Sequence, residues 1–271
     1  MKPGAFILLV LLPVAGVTAP ASSDPSAEAW SLLANYRSDL AQARFEELAS
    51  PGARDARTAR FGLALSLLAQ PSPQPDRVGR ARALLTALAA AGTDDLALGA
   101  RFYLARLAEF QAEPPDPALA AAEFRRLVAE HPDSRWAQVA VSRLAILLLY
   151  TSAGPAEPAA RVVAAEQLLA SARQPLAAAE LHLVIADAIF HYRLPDRLAL
   201  PHLLAAGQTG ALDPTTRADV LVQVGELSRL AGNPAQAADY YRTFLAEYPR
   251  DARQFPVRKE LAALGSVQPA R

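Results

Sequence analysis

Residues 117–132 read PALAAAEFRRLVAEHP and residues 234–249 read PAQAADYYRTFLAEYP, one helix-length phrase written twice without a gap. Eight of the sixteen aligned positions are identical, among them both end prolines, Ala120/Ala237, Arg125/Arg242 and Glu130/Glu247. Phe124 is matched by Tyr241, and His131 by Tyr248. Self-similarity of this kind marks units that bury their apolar faces on one another instead of around one shared centre. It predicts a stack of helix pairs, an architecture that more often holds other proteins than performs chemistry.

The composition agrees with helices. Hydrophobic residues make up 52% of the 271 and aromatics 7%, and Ala alone is roughly a fifth. Ala and Leu are the strongest helix formers, and small Ala side chains let neighbouring helices approach closely. Most of the 22 prolines fall between apolar runs, where proline ends one helix or opens the next. The formal net charge is +0 and there is no basic block, so a nucleic-acid backbone is not an expected partner.

The first residues form a targeting segment. Lys2 supplies a positive start, Ala5–Val17 is a short apolar run broken by Pro13, and Ala19-Pro20-Ala21 offers small residues for cleavage before Ser22. Residues 1–21 are therefore expected to be a cleaved signal peptide. A retained anchor is the competing reading, but the run falls short of the ~20 residues that span a bilayer. The chain has no cysteine, which excludes an acylated lipobox cysteine, a disulfide framework and a thiolate metal site. Periplasmic location or secretion follows, with no transmembrane span in the mature chain.

Beyond the signal, apolar residues recur with the helical period and strand-like alternation is nowhere sustained. The pattern predicts helices over residues 27–35, 39–49, 55–69, 77–91, 95–111, 118–130 and 134–150. Further helices follow over 159–172, 176–192, 197–206, 215–230, 235–247 and 252–264. Asp116-Pro117 and Asn233-Pro234 each put an acceptor at the N-cap and a proline at the first helical position, and Asp133, Asp213 and Asp251 precede other starts. Short connections make consecutive helices antiparallel. Residues 71–75 and 151–158 are the best candidate breaks, yet both are short enough to be turns, so residues 22–264 read as one repeat domain with a flexible tail over 265–271.

The stretch 218–249 resembles a tetratricopeptide repeat. Leu221 and Val224 occupy the large apolar positions of its first helix and Gly225 the small one; Ala231-Gly232-Asn233 makes the turn. Ala237, Tyr241 and Pro249 stand at the small, aromatic and closing-proline positions of the second helix, while Phe244 departs from the usual small residue. Residues 101–132 fit the same frame through Leu104, Leu107, Ala108, Ala120, Phe124 and Pro132, with Glu113-Pro114-Pro115-Asp116 in place of the glycine turn. The resemblance implies an all-α, right-handed superhelix of antiparallel helix pairs, an α-solenoid whose first helices line a concave face. That face would bind a protein or peptide partner. Carried over by position, its candidates are Arg101, Phe102 and Ala105 in one unit and Ala218, Asp219, Val222, Glu226 and Arg229 in the other, with Arg143 between them.

No catalytic, cofactor-binding or metal-binding constellation emerges. His182 and His191 stand nine residues apart, on opposite sides of a helix, so with His202, Glu180 and Asp187 they make no metal motif, and the histidines read as surface or helix-tip groups. His131, matched with Tyr248, reads as a packing residue. Residues 144–150 are the most apolar stretch after the signal, a buried helix face too short for a membrane. The leading expectation is a non-enzymatic exported scaffold of the cell envelope, possessing no cofactor. Its rival is an enzyme or binding protein for cell-wall polysaccharide built on a helical superhelix, in which Glu109, Glu180, Asp187 and Glu226 would be the acids to test.

Overall fold

The computed structural model of the chain describes residues 25–50, 52–53, 55–70, 74–111 and 114–266. The signal segment 1–21 and the last residues of the tail, 267–271, lie outside them. Thirteen α-helices form among the described residues: α1 (Pro25–Ala34), α2 (Ser38–Leu48), α3 (Ala56–Leu68), α4 (Pro75–Ala89), α5 (Asp95–Phe110), α6 (Pro117–Glu130) and α7 (Arg135–Tyr150) come first. They are followed by α8 (Pro158–Glu166), α9 (Pro175–His191), α10 (Ala199–Gln208), α11 (Pro214–Leu230), α12 (Pro234–Glu247) and α13 (Gln254–Ser266). No strand occurs among the described residues. Every expected helix is present, with ends displaced by a residue or two. The largest departure is the helix expected over 159–172, which tightens at Gln167–Ser171 into a 3-10 turn.

Side-chain caps set many of these ends. Asp116 accepts from Leu119 N at 2.8 Å and Asn233 from Gln236 N at 3.2 Å, each directly before a first-turn proline whose missing N–H would have had no partner there. Asp213 holds the N–H groups of Thr215 and Thr216. At α7 the cap is Ser134, which accepts from Ala137 N at 3.0 Å; Asp133, one residue earlier, instead pairs with Arg173. The turn after α11 needs a left-handed residue, and Gly232 supplies it at φ +77°, so that Asn233 N reaches back to Ser228 O at 2.8 Å. One asparagine thus closes α11 through its N–H and opens α12 through its side chain.

The chain divides into two compact units, the first ending at Leu107 and the second beginning at Ala108. Residues 71–75 and 151–158 were the sequence's candidate breaks, but the division falls within α5. In the first unit α1 packs on α2, α2 on α3 and α3 on α4. In the second, α6 packs on α7, α7 on α8 and α9, and α9 on α10; α10, α11, α12 and α13 follow in order. This neighbour-to-neighbour stacking is the solenoid principle. Ala218, Leu221, Ala237, Tyr241, Phe244 and Val257 form the buried centre of the last layers, with Leu261 and Leu264 of α13 laid against it.

The close contact in that centre is between Gly225 on α11 and the Tyr241 ring on α12. A Cβ at Gly225 would lie 2.4 Å from the ring, far inside van der Waals contact. Gly225→Ala is expected to destabilise the fold by about 1–3 kcal/mol through overpacking. Gly79→Ala, at an exposed helical site with nothing within 4 Å, should instead stabilise it by about 0.5–1 kcal/mol. Urea unfolding of the two variants beside the parent checks the opposite signs.

Candidate functional site

Four first helices share a register that begins with a small buried residue. Ala108 on α5, Ser142 on α7, Ala186 on α9 and Gly225 on α11 each stand where a partner helix approaches, and each is buried. The next residue is in every case charged: Glu109, Arg143, Asp187 and Glu226. One step around a helix from the small residue lies the edge of its packed face, so each of the four stands at the corresponding place on its own helix. The sequence had offered each of them separately; the small–charged dipeptide that unites them was there to be read and was missed.

The line largely neutralises itself. Arg143 bonds Glu109, with both side chains mostly withdrawn from solvent (15% and 6% exposed), and its guanidinium stacks over the Phe110 ring, 5.5 Å from the centroid. Glu226 pairs with Arg229 at 3.0 Å, and Arg229 reaches Glu260 on α13 at 3.5 Å. Asp219 pairs with Arg253, whose guanidinium is also held by Asp251 and lies over the Phe244 ring. The Asp251 carboxyl is thereby drawn down to about 2, chiefly by its hydrogen bonds from Arg253. On α9 the acids differ: Glu180 accepts from the Ser142 hydroxyl at 3.3 Å, and burial raises its carboxyl above the ordinary value. Partial desolvation raises Asp187 as well.

The other expected face residues fare unequally. Arg101 is half-buried and donates to Gly92 O at 3.4 Å. Phe102 and Ala105 do not line a face: they are 4% and 1% exposed, taken up by packing, as is Ala218 at 1%. Carrying family positions over by count alone erred there, because an Ala or Phe at a nominally free position is as ready to be buried as displayed. Val222 is half-buried against the last core cluster. Arg143, Asp219, Glu226 and Arg229 form the polar remainder, and each already has an ionic partner.

The histidine expectation needs correction in one respect. His191 is exposed, but His202 is 8% exposed and buried in the fold. Its Nδ1 meets His182 Nδ1 at 3.0 Å, and its Nε2 lies 3.2 Å from Glu166 Oε1. The carboxylate fixes the hydrogen on Nε2, leaving Nδ1 to accept from His182, so one hydrogen-bond chain joins α8, α9 and α10 and uses both ring nitrogens of His202. His182 holds the place in its helix that Leu221 holds in α11, four residues before the small residue; Gln138 holds it in α7. Gln138 is 1% exposed and uses its whole amide: Nε2 donates to Pro132 O and Ser171 O, and Oε1 accepts from Arg173 N and Gln174 N. Among the described residues, no three acids or histidines are grouped so as to hold a metal ion. No described helix is long and apolar enough to cross a membrane.

The last pair carries the comparison that decides the family question for this stretch. Residues 219–251 match the family model of the tetratricopeptide repeat. The match takes in most of α11 and all of α12, and the repeat assignment of that pair stands. A solved structure described as the functional characterization of Pseudomonas aeruginosa PilF is similar to the chain at 17% identity and a TM-score of 0.47, covering 87% of this chain and 96% of that one. No curated protein matches.

Two outcomes follow from the buried polar groups. Arg143→Met strands the Glu109 carboxylate and should cost about 3–5 kcal/mol, while adding Glu109→Leu should recover most of the loss; urea unfolding of the single and double variants measures both. Burial holds His182 below its ordinary 6.5, with the His202 ring adding to the effect, so the fold favours neutral imidazole. A lowered folded value gives stability that is complete above 6.5 and is lost as pH falls through the folded value. Glu180 and Asp187, raised by burial, act in the opposite sense but in the carboxylate range. Unfolding free energy should therefore decline from about pH 7.5 to about pH 5.5, and His182→Leu should flatten that decline.

Proposed function

We propose that this chain is a non-enzymatic, exported scaffold that binds protein partners in the cell envelope through the first-helix face of its second unit. The observation that carries the reading is the division of labour between helices. In the repeat pair, the second helix commits Ala237, Tyr241 and Phe244 to stacking, while the first leaves Glu226 exposed next to the buried Gly225. On α9 and α11 the residue after the small one, Asp187 and Glu226, is exposed, and charge in a fixed place is what a partner can be matched to. Export is supported by Lys2, the apolar run Ala5–Val17 and the small residues around Ala21, and freedom from cysteine suits an oxidising compartment.

A photo-crosslinking residue placed at Glu226, on the exposed first-helix face, should capture a distinct protein in the native compartment. The same residue at Arg125, exposed on second helix α6, should not. Recovery of no protein above background from the Glu226 position would defeat the scaffold reading. Amino-terminal sequencing of the captured chain should begin at Ser22 if the export half is right.

A further inference from the structure

The charged register contains one member that differs from the rest. Glu109 has Arg143, Glu226 has Arg229, and both ion pairs are intramolecular. Asp187, at the same step of α9, forms no ion pair among the described residues, although it stands exposed on the surface. It is a carboxylate in a position that elsewhere on the same face holds a guanidinium.

Around Asp187 the structure gathers aromatic rings. Tyr150, the last residue of α7, is 39% exposed. Its ring stacks on Tyr192 with centroids 6.1 Å apart and planes at 21°. The His191 ring stands across both, 5.2 Å from Tyr150 and 4.8 Å from Tyr192, each at 80°. Two near-parallel rings with a third set crosswise form a corner in which Tyr150 and His191 are exposed and Tyr192 is half-buried. Asp187 lies one turn before His191 on α9, so the two side chains share one face of that helix. The Tyr150 phenol is pushed up to about 12, first by burial and then by the Asp187 charge.

This corner is held in place. The Tyr192 hydroxyl donates to Leu149 O, and Arg161 Nη1 donates to Leu149 O at 2.8 Å and to Thr151 O at 2.9 Å. Arg161 thus serves the carbonyl end of α7. Beyond Tyr192, Arg193 takes a left-handed turn at φ +53°, and Leu194 N returns to Ile189 O at 3.0 Å, so α9 stops sharply behind the two rings.

The molecule itself shows what such a combination binds. At the preceding step Arg143 lies between the Glu109 carboxylate and the Phe110 ring. A guanidinium can pair with a carboxylate through its edge and stack on an aromatic ring through its face, which an ammonium does less well. We propose that the corner of Asp187, Tyr150, His191 and Tyr192 receives an arginine side chain of a partner protein. This rests on the scaffold reading above and names the chemistry of one contact within it.

The test uses the full chain, isotope-labelled, titrated in NMR with the peptide acetyl-Gly-Arg-Gly-amide and its lysine and citrulline counterparts. Arginine should shift the amides of residues 149–151 and 186–193 together, and citrulline, which keeps the shape and loses the charge, should not. Asp187→Asn should weaken the arginine peptide about fivefold or more, and Tyr150→Leu about threefold. The lysine peptide should bind less well than arginine. Three results would each overturn the proposal: Asp187→Asn binding as the parent does, lysine or citrulline binding as tightly as arginine, or shifts centred on another part of the chain. Repeating the Glu226 crosslinking with Asp187→Asn separates the two ideas. A partner captured equally well by the variant removes the arginine contact and leaves the scaffold; capture reduced by the variant supports both.

Discussion

The crossing of α11 and α12 admits no side chain on one of its two sides. Gly225 leaves the space that the Tyr241 ring occupies, and Ala237 and Ala218 keep the two helices at that distance along the contact. Everything else in the pair follows from it. The ring sits under α13, where Phe244 and Val257 extend the same cluster, so the size of one residue on α11 sets how the next layer lies. The first unit uses the same device with the roles redistributed: a Cβ on Gly62 of α3 would meet the Phe45 ring of α2 at 2.4 Å. Small-against-ring contacts suit an alanine-rich chain, because they gain aromatic burial without asking for bulky residues on both helices.

Four residues before the small position, the repeat pair carries Leu221, and the middle helices carry Gln138 and His182 instead. Neither is an imperfection of packing. Gln138 is a four-bond clamp that fastens the connection after α6 and the connection before α9 to one side chain. His182 joins α9 to α10 and, through His202, to Glu166 on α8. A buried polar group is tolerated when every donor and acceptor is met, and it then specifies one arrangement more narrowly than a leucine would. The middle of the second unit therefore exchanges the apolar signature for hydrogen bonds that the signature cannot encode.

That exchange explains what was legible in the sequence. All thirteen helices could be read from apolar period and proline placement, because helix ends are local events: Asp116, Asn233 and Asp213 cap within three residues of themselves. The repeat could be read where its contacts are apolar and small, in 218–249. It faded over 134–206, where the same contacts are made by Gln138, His182 and His202, most of whose partners lie 20 to 36 residues away and carry no periodic mark. His202 was the sharpest loss, a buried histidine taken for a surface one, since its burial depends on a glutamate two helices earlier. Phe102 and Ala105 failed for the converse reason: residue type alone does not separate a displayed apolar group from a packed one.

The charged register adds a consequence for recognition. A salt bridge already closed within the face contributes little to binding, since a newcomer must displace one partner before gaining the other. Glu109, Asp219 and Glu226 are in that state, and two of their arginines, Arg143 and Arg229, are residues that the sequence put forward as contacts. Selectivity then falls to the step where the pattern is left open, and on α9 the open step is also the one lined by three rings. Closed pairs contribute little, and the carboxylate beside the rings, which forms no ion pair among the described residues, is left to discriminate between partners.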